Sequence, residues 1–364
     1  MQSPPSTTTP AAARQRLWQE LDMLCRLGLG LAPVAPDVCA VLRTLVGADA
    51  AALFWLDEQG LPEGFFHEDS PASAQNLFLN EFQRLFVGEH ETNVFALAQP
   101  HGPRVGRLLA PDAGYFRSNT YNLLIRASGH HHTLDLRVEV PGPTGPVTRA
   151  VVALFRAPGN GFNAAEAALL ERAGTSLQRA FVRPAATGLA PSADGAVGHV
   201  LLDAASLRPL LADATATQLL QGANLRGLGL QGGGEAAGAA LPADLFQHLG
   251  LQPGQSARIP VPHGVLDMRM HPLHPVAGGA GQWLLTLQLQ RPRQIDVVRR
   301  VLALPLSPLQ REIAALAGLG HARADCTALT GVGSAALKKH LRTILEVADA
   351  SDWEALASRL HGGP

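Results

Sequence analysis

The residue types best suited to chemistry lie near the carboxyl end of the chain, in the segment LKKHLRTI. Lys338 and Lys339 are the only lysines among 364 residues, and Arg342 and Thr343 follow within four positions. Lysine and arginine neutralise phosphates or donate to guanine edges, and threonine contacts either phosphate or base. This combination predicts contact with a nucleic acid.

A helix places these side chains on one surface. At about 100° per residue, Leu337, Leu341 and Ile344 fall on one side of the helix. The four polar side chains fall on the opposite side, where we expect no acidic residue. A short helix with an apolar inner face and a cationic outer face suits the major groove of DNA. The alternative is an ordinary solvated helix face, because charge on one face of a helix is not specific to DNA.

Three further helices are predicted around this one. Ser307 is suited to be an N-cap, Pro308 suits the first helical position, and Gln310 completes a capping box. A short helix is predicted over residues 322–329, and TGVG predicts a tight turn before the third helix. The fourth helix is predicted to begin at Ser351, with a second capping box.

The 55 residues from LSPLQRE to ASRL resemble the LuxR-type (GerE-like) four-helix DNA-binding domain of bacterial transcription regulators. The opening LSPLQRE, Gly331 in the turn, the run LKKHLRTI and Ser351 carry the resemblance. It implies sequence-specific binding of double-stranded DNA, usually as a homodimer, with the third helix in the groove. Carried over by position, the DNA-binding residues are Ser334 at the helix entry, Lys338, Lys339, Arg342 and Thr343.

This segment also departs from the family pattern. Ala336 replaces a polar residue and removes one possible contact, and Thr330 is expected to weaken the packing between the second and third helices. Residues 306–364 contain six Lys or Arg and six Asp or Glu residues, so the segment is not basic overall. These departures favour the alternative of a degenerate helical domain that no longer binds DNA.

The first large segment, residues 14–183, predicts a mixture of helices and strands. The order is two helices, a strand, two helices, a hairpin over residues 133–155 and a long helix capped by Asn163. This order, and above all the ending VALFRAPGNGFNAAEAALLERAGTSLQRAF, resembles the GAF sensory domain. Residues 1–13 are rich in Pro, Ser and Thr and are predicted to be disordered.

The middle of the chain begins with a linker composition over residues 184–195. Residues 196–291 predict strand, turn, strand and short helix, then a closing hairpin, and resemble a PAS domain. A connecting helix is predicted over residues 292–305, before the four-helix domain of residues 306–364. The expected fold class is multidomain α+β: GAF-like and PAS-like antiparallel-sheet sensory domains followed by an all-α four-helix LuxR-type helix-turn-helix domain.

Two features of the sensory part bear on its partners. Leu17, Leu21 and Leu24 form a stripe that either pairs with a second copy of the helix or covers the chain's own core. The first segment holds nearly all phenylalanines and both tyrosines, so it is expected to bind a small-molecule effector, unless these aromatics only fill the core. The sequence identifies neither the effector nor any cofactor.

Other candidate sites have simpler explanations. His130, His131 and His132 are consecutive, so on an extended chain they alternate sides and do not converge on one metal ion. The GxGxxG match over residues 227–232 lacks the preceding strand and following helix of a nucleotide-binding loop. The histidines of HPLHP need a distant partner to hold a metal. We therefore predict no metal site.

The composition restricts the class of protein. The net charge is −1, and no run of 18 apolar residues occurs, so no strong overall field and no membrane span are expected. Three cysteines without a CxxC pair indicate a reducing compartment, and with no signal-peptide pattern they predict a cytoplasmic protein. There is no GxSxG, HExxH or kinase motif, and an enzyme is not expected.

The expected function is therefore a bacterial transcription regulator whose sensory domains control a C-terminal helix-turn-helix. One alternative is a sensor or scaffold protein whose helix-turn-helix no longer binds DNA. Another is a ligand-sensing signalling enzyme. The inference from sensory domains to regulation is by fold analogy.

Overall fold

The structure is a computed structural model that describes residues 10–57, 60, 62–143, 145–182, 192, 195–224, 251, 254–274, 276 and 281–362. The described residues form helices and two antiparallel sheets, which confirms the predicted α+β mixture. The GxGxxG match over residues 227–232 and nearly all of the linker predicted over residues 184–195 lie outside the described residues. Within that linker, the Ser192 amide donates to the Arg291 carbonyl.

The first region of the fold contains a four-stranded sheet in the order β2-β1-β4-β3. Its strands are β1 (Ala50–Leu56), β2 (Pro62–His67), β3 (His132–Gly142) and β4 (Gly145–Arg156). In the chain, α1 (Pro10–Cys25) and α2 (Ala35–Val46) precede β1, and α6 (Ala164–Arg179) follows β4. Between β2 and β3 lie α3 (Ala72–Asn80), α4 (Phe82–Leu85) and α5 (Val94–Ala98).

Both faces of this sheet are buried, which explains why β1 has the nearly continuous apolar sequence AAALFWL. Successive side chains of a strand point to opposite faces. Leu53 and Trp55 belong to the main core together with α1, α2 and α6. Ala50 and Ala52 face the other side, where smaller apolar clusters form beneath α3 and α5.

Three predicted elements of this region differ in the structure. Helix α1 begins at Pro10, so residues 10–13 are helical rather than disordered. The helix predicted near residues 73–86 is divided between α3 and α4 at Glu81. The helix predicted near residues 115–127 is instead a series of short 3₁₀ and π turns, interrupted by the extended backbone of Ser118. The Ser118 hydroxyl donates to the Tyr115 carbonyl and accepts from the Tyr121 amide, which competes with helical hydrogen bonding.

The second sheet has five strands in the order β6-β5-β9-β8-β7. Its elements are β5 (Val197–Asp203), β6 (Pro209–Ala212), α7 (Ala214–Ala223), β7 (Ser256–Val261), β8 (Gly264–Leu273) and β9 (Gln282–Gln290). The strand–strand–helix opening and the β8–β9 hairpin agree with the sequence prediction. Strand β7 was not predicted, because its sequence SARIPV is short and contains a proline.

Five helices complete the described chain. They are α8 (Arg293–Ala303), α9 (Pro308–Gly318), α10 (Cys326–Thr330), α11 (Ser334–Ala348) and α12 (Trp353–His361). Helix α8 lies where the connecting helix was predicted.

One apolar core cluster extends from α1 through both sheets to the C-terminal helices. Leu21 and Leu24 are buried in this core, and Leu17 is partly buried against it. The leucine stripe of α1 therefore covers the chain's own core, which is the second of the two roles expected for it. No helix among the described residues has both the length and the apolar character needed to span a bilayer.

Candidate nucleic-acid interface

Helix α11 is positioned by its apolar side. Leu337, Leu341 and Ile344 are all buried at helical spacing, as predicted. Gly331, with φ of 69°, provides the left-handed turn after α10, and Asp349 adopts a left-handed conformation at the C-cap of α11. The inner stripe and the two turns together fix which side chains point outward.

The outer face of α11 is cationic and exposed. Lys338, Lys339, Arg342 and Thr343 are all exposed, and neither lysine forms a hydrogen bond or ion pair with any described residue. Ser334 is exposed at the first position of the helix. The structure thus brings all five predicted DNA-binding residues onto one helix.

The expectation that this surface contains no acid is wrong. Arg342 Nε lies 3.0 Å from Glu346 Oε1, and both side chains are exposed. The pair joins positions i and i+4, which are neighbours on a helix surface. Arg342 is consequently partly neutralised within its own helix, whereas the two lysines are not.

The amino end of α11 lacks the side-chain cap that α9 and α12 have. Its N-cap is Gly333, and no side chain accepts a hydrogen bond from its first turn. In α9, Ser307 and Gln310 form the predicted capping box. The first amides of α11 are therefore free to bind an anion, and the partial positive charge of a helix N-terminus favours this.

The cap of α12 is displaced by one residue from its prediction. Asp352, not Ser351, accepts from the Ala355 amide at 2.8 Å, and the Ser351 hydroxyl donates to Asp352. The hydrogen bond from Ala355 lowers the pKa of Asp352. An aspartate carboxylate accepts more strongly than a serine hydroxyl, so the adjacent acid takes the cap.

The second helix of the predicted four is shorter than expected. A 3₁₀ turn over Arg323–Asp325 precedes α10, which ends at Thr330. Cys326 is buried, and burial raises the pKa of its thiol. The Thr330 hydroxyl donates to the Cys326 carbonyl at 2.6 Å, so its polar group is satisfied locally rather than by α11.

A groove of about 900 Å³ runs between α11 and α12. It contains cationic side chains from Arg323, Lys338, Arg342 and Arg359, but also Glu346 and Asp349. Arg359 Nη2 lies 2.5 Å from Asp349 Oδ2, so one of these arginines is paired with an acid. Lys338 is the cation that α11 contributes to this groove without an acidic partner among the described residues.

Helix α9 connects these helices to the first region. Gln19 Nε2 donates to the Pro308 carbonyl at 2.6 Å, and Arg311 Nη1 donates to Gln19 Oε1. Arg26 Nη2 forms an ion pair of 3.1 Å with Glu312. Sequence analysis did not predict these contacts, because they join residues almost 300 positions apart.

The three consecutive histidines each contact a different group. This agrees with the expectation that neighbouring side chains of an extended chain point to opposite sides. His130 Nε2 lies 3.1 Å from Asp69, His131 Nδ1 lies 2.6 Å from the Tyr121 hydroxyl, and His132 Nε2 lies 3.1 Å from a backbone carbonyl. Within the described part of the chain, no three His, Cys, Asp or Glu side chains are grouped to share a metal ion. His271 and His274 are exposed.

Sequence analysis did not locate a second candidate site, which is a cavity beside the first sheet. It is lined by Phe54, Phe65, Phe78 and Phe155 among others. Tyr115 and Thr133 also line it, and their buried hydroxyls interact with each other but form no regular hydrogen bond with another described group. The concentration of aromatic residues in this segment was the only signal in the sequence.

Comparisons with known proteins add little to this geometry. A scan against models of protein families finds no match, and a search of curated proteins finds no similar sequence. Among solved structures, the crystal structure of the E. coli DhaR(N)–DhaL complex is similar over 79% of this chain and 91% of that chain. The identity is 15% and the TM-score is 0.18, which is too low to support any conclusion.

Proposed function

We propose that this protein is a transcription regulator in which helix α11 reads double-stranded DNA as a LuxR-type recognition helix does. The observation that carries the proposal is the pair of exposed lysines on α11, which have no partner among the described residues. Lysines kept free of acids are suited to phosphates, which supply much of the affinity of DNA-binding proteins.

The other side chains of α11 fit distinct parts of a duplex. Ser334 and the uncapped first turn are suited to a phosphate oxygen. Arg342 and Thr343 lie more than two turns further along and are suited to base edges. The opposite side of the helix is committed to the apolar core, so only this face is available to DNA.

The rest of the chain is proposed to sense a signal. We propose that the first sheet with its helices forms a GAF-like domain and that the second sheet with its helix forms a PAS-like domain. We propose a cytoplasmic protein that binds a small-molecule effector and acts as a homodimer, because paired recognition helices read half-sites about 34 Å apart. The surface that pairs the two copies is not the leucine stripe of α1, which is buried.

A second candidate function is a sensor or scaffold whose helix-turn-helix has lost DNA binding. The observation that favours it is the ion pair between Arg342 and Glu346, which reduces the positive charge of the outer face. A carboxylate near a DNA phosphate is repelled unless the arginine changes partner.

Selection from a pool of random DNA duplexes tests the proposal. The wild-type protein is expected to enrich a motif with two related half-sites about one helical turn apart. The variant K338A/K339A is expected to enrich none. Failure of the wild type to enrich any motif contradicts the proposal and supports the scaffold function.

A charge-matched control separates helix α11 from the general effect of charge. The variant R117A/R126A also removes two positive charges, from exposed residues of the first region. It is expected to enrich the same motif as the wild type. Equal losses in both double variants indicate that only the overall charge matters and that α11 is not the reader.

A further inference from the structure

A cavity of about 70 Å³ lies on the outer face of the first sheet, beneath α3 and α5 and the turns of residues 115–128. Its walls are mainly phenylalanines and aliphatic side chains. Phe54 and Phe65 stack with ring centroids 5.7 Å apart, and Phe78 meets Phe65 edge to face at 5.1 Å. Such walls bind apolar, preferably flat, molecules.

Two polar side chains in the cavity wall keep unused hydrogen-bonding capacity. Tyr115 is 3% exposed and Thr133 is 4% exposed, and both line the cavity. The two buried hydroxyls interact with each other, and neither forms a hydrogen bond of regular geometry with any other described group. Burial raises the pKa of Tyr115 to about 12, so the phenol stays neutral and can donate a hydrogen bond at pH 7.

Two other buried polar side chains of the cavity lining, Asn93 and Thr120, are satisfied by regular hydrogen bonds. Asn93 accepts from the Phe95 and Ala96 amides and donates to the Phe86 carbonyl. The Thr120 hydroxyl donates to Glu91. Buried polar groups of folded proteins nearly always have a partner, and leaving one unpaired is costly. A ligand oxygen supplies what Tyr115 and Thr133 lack.

The lining also limits the charge of the ligand. Besides Tyr115, the titratable side chain in the cavity lining is His67. Its Nδ1 lies 3.3 Å from an Asp69 carboxylate oxygen. No Asp, Glu, Lys or Arg residue lines the cavity among the described residues. A charged ligand group therefore loses its hydration without meeting an opposite charge, and this is unfavourable.

A larger open groove adjoins the cavity and gives access to it. The groove has a volume of about 710 Å³ and shares Phe65, Phe78 and Asn93 with the cavity lining. A cavity of about 150 Å³ is known to hold benzene, so 70 Å³ receives only one end of a ring. The remainder of the ligand lies along the shared phenylalanine wall.

We propose that this cavity binds a small, uncharged, ring-containing molecule whose hydroxyl or carbonyl oxygen pairs with Tyr115 and Thr133. Its role as the effector site rests on the proposed regulatory function, whereas the binding itself does not. The ligand enters through the groove with its oxygen foremost. Its apolar body replaces water against Phe65 and Phe78.

Calorimetric titration of the full chain with phenol, benzene and benzoate tests this site. Phenol supplies both the ring and the oxygen, benzene lacks the oxygen, and benzoate carries a charge. Phenol is expected to bind roughly tenfold more tightly than benzene, since one or two buried hydrogen bonds distinguish them. Benzoate is expected to bind more weakly than phenol. Equal affinity for phenol and benzene, or no saturable binding of phenol, overturns the proposal.

Three variants locate the oxygen. Y115F and T133V each remove one of the two hydroxyls and are expected to lower the preference for phenol over benzene several-fold. Y121F is the matched control, because the Tyr121 hydroxyl pairs with His131 and does not line the cavity. An unchanged preference in both Y115F and T133V overturns the assignment of the oxygen, and the wild-type comparison stands even if a variant unfolds.

The outcomes separate this site from the proposed function. Phenol binding without any sequence-specific DNA binding overturns the regulator and keeps the site. DNA binding without a preference for phenol over benzene overturns the site and keeps the regulator. Phenol that binds but leaves the affinity for DNA unchanged overturns its role as the effector site.

Discussion

Helices α9 and α11 belong to the same C-terminal group but are used in opposite ways. Helix α9 is held against α1 by Gln19 and by the ion pair of Arg26 with Glu312. On the outer face of α11, Lys338 and Lys339 have no charged partner among the described residues, and Arg342 pairs with Glu346 of its own helix. One helix is committed to the rest of the chain, and the other is free to meet a separate molecule.

This difference shows which element can connect the two ends of the protein. Helix α1 packs on α2 and α6, which cover the first sheet, and it also contacts α8 and α9. Helix α1 is therefore in direct contact with both the first region and the C-terminal helices. Coupling between an effector site and the DNA-binding helix requires two conformations of the protein whose equilibrium depends on both sites.

The largest expected effect separates the two faces of α11 itself. Ile344 is fully buried, so Ile344→Ala is expected to lower the free energy of unfolding by about 2–5 kcal/mol. Lys338→Ala, on the exposed face, is expected to change it by less than about 0.5 kcal/mol. Urea unfolding of both variants measures the difference. Similar losses in the two variants contradict the assignment of the faces.

A pair of glycine substitutions compares the packing of α9 with that of α11. A Cβ added at Gly318 lies 2.4 Å from Val297 Cγ1 and 3.1 Å from Leu360, so Gly318→Ala is expected to destabilise the protein by about 1–3 kcal/mol. A Cβ added at Gly333 meets nothing within 4 Å.

For Gly333→Ala, the loss of a favoured cap residue is offset by the lower entropy of the unfolded chain, so little change is expected. Thermal unfolding of the two alanine variants provides the comparison. A larger loss at Gly333 than at Gly318 shows that α11, not α9, is the more tightly packed helix.

A smaller effect is expected from the ion pair on the outer face of α11. Glu346→Gln removes the acid that neutralises Arg342 and is expected to strengthen DNA binding about twofold, consistent with about 0.3–0.5 kcal/mol for such a pair. Fluorescence anisotropy with the selected duplex measures this gain. Weaker binding indicates that Glu346 positions Arg342 for DNA rather than competing for it.

The smallest effect concerns the pH response of α1, beside the anchor of α9. Burial raises the pKa of Glu20 in the folded protein. The contribution of protonated Glu20 to stability is therefore fully present below the ordinary carboxyl pKa, and it is lost as pH rises through the higher pKa of the folded state. Glu20→Gln is therefore expected to be more stable than the wild type at pH 7. The difference should shrink as pH falls towards 4. A difference that grows at low pH has the wrong sign.

Much of α11 could be predicted because helical spacing directly determines which side chains share a face. The buried stripe of Leu337, Leu341 and Ile344 follows from that periodicity alone. The caps at Ser307 and Asn163 follow from local sequence in the same way. Local rules suffice wherever the deciding contacts lie within four residues.

The features that were not predicted have three different causes. The pair of Arg342 and Glu346 was visible as an i, i+4 spacing but was overlooked, because the acid lies beyond the four residues considered. Ser351 and Asp352 both fit a cap, and only the folded turn selects the acid. The facing hydroxyls of Tyr115 and Thr133 come from different elements, so the cavity arises only from tertiary packing.

The most direct test of the central claim is a salt titration of DNA binding by the wild type, K338A/K339A and R117A/R126A. Each phosphate contact contributes about 0.9 to the slope of log affinity against log salt. If both lysines contact phosphates, K338A/K339A binds the selected duplex more weakly and its slope is smaller by about 1.8, while R117A/R126A retains the wild-type slope. Wild-type affinity and slope in K338A/K339A contradict the claim that α11 binds DNA.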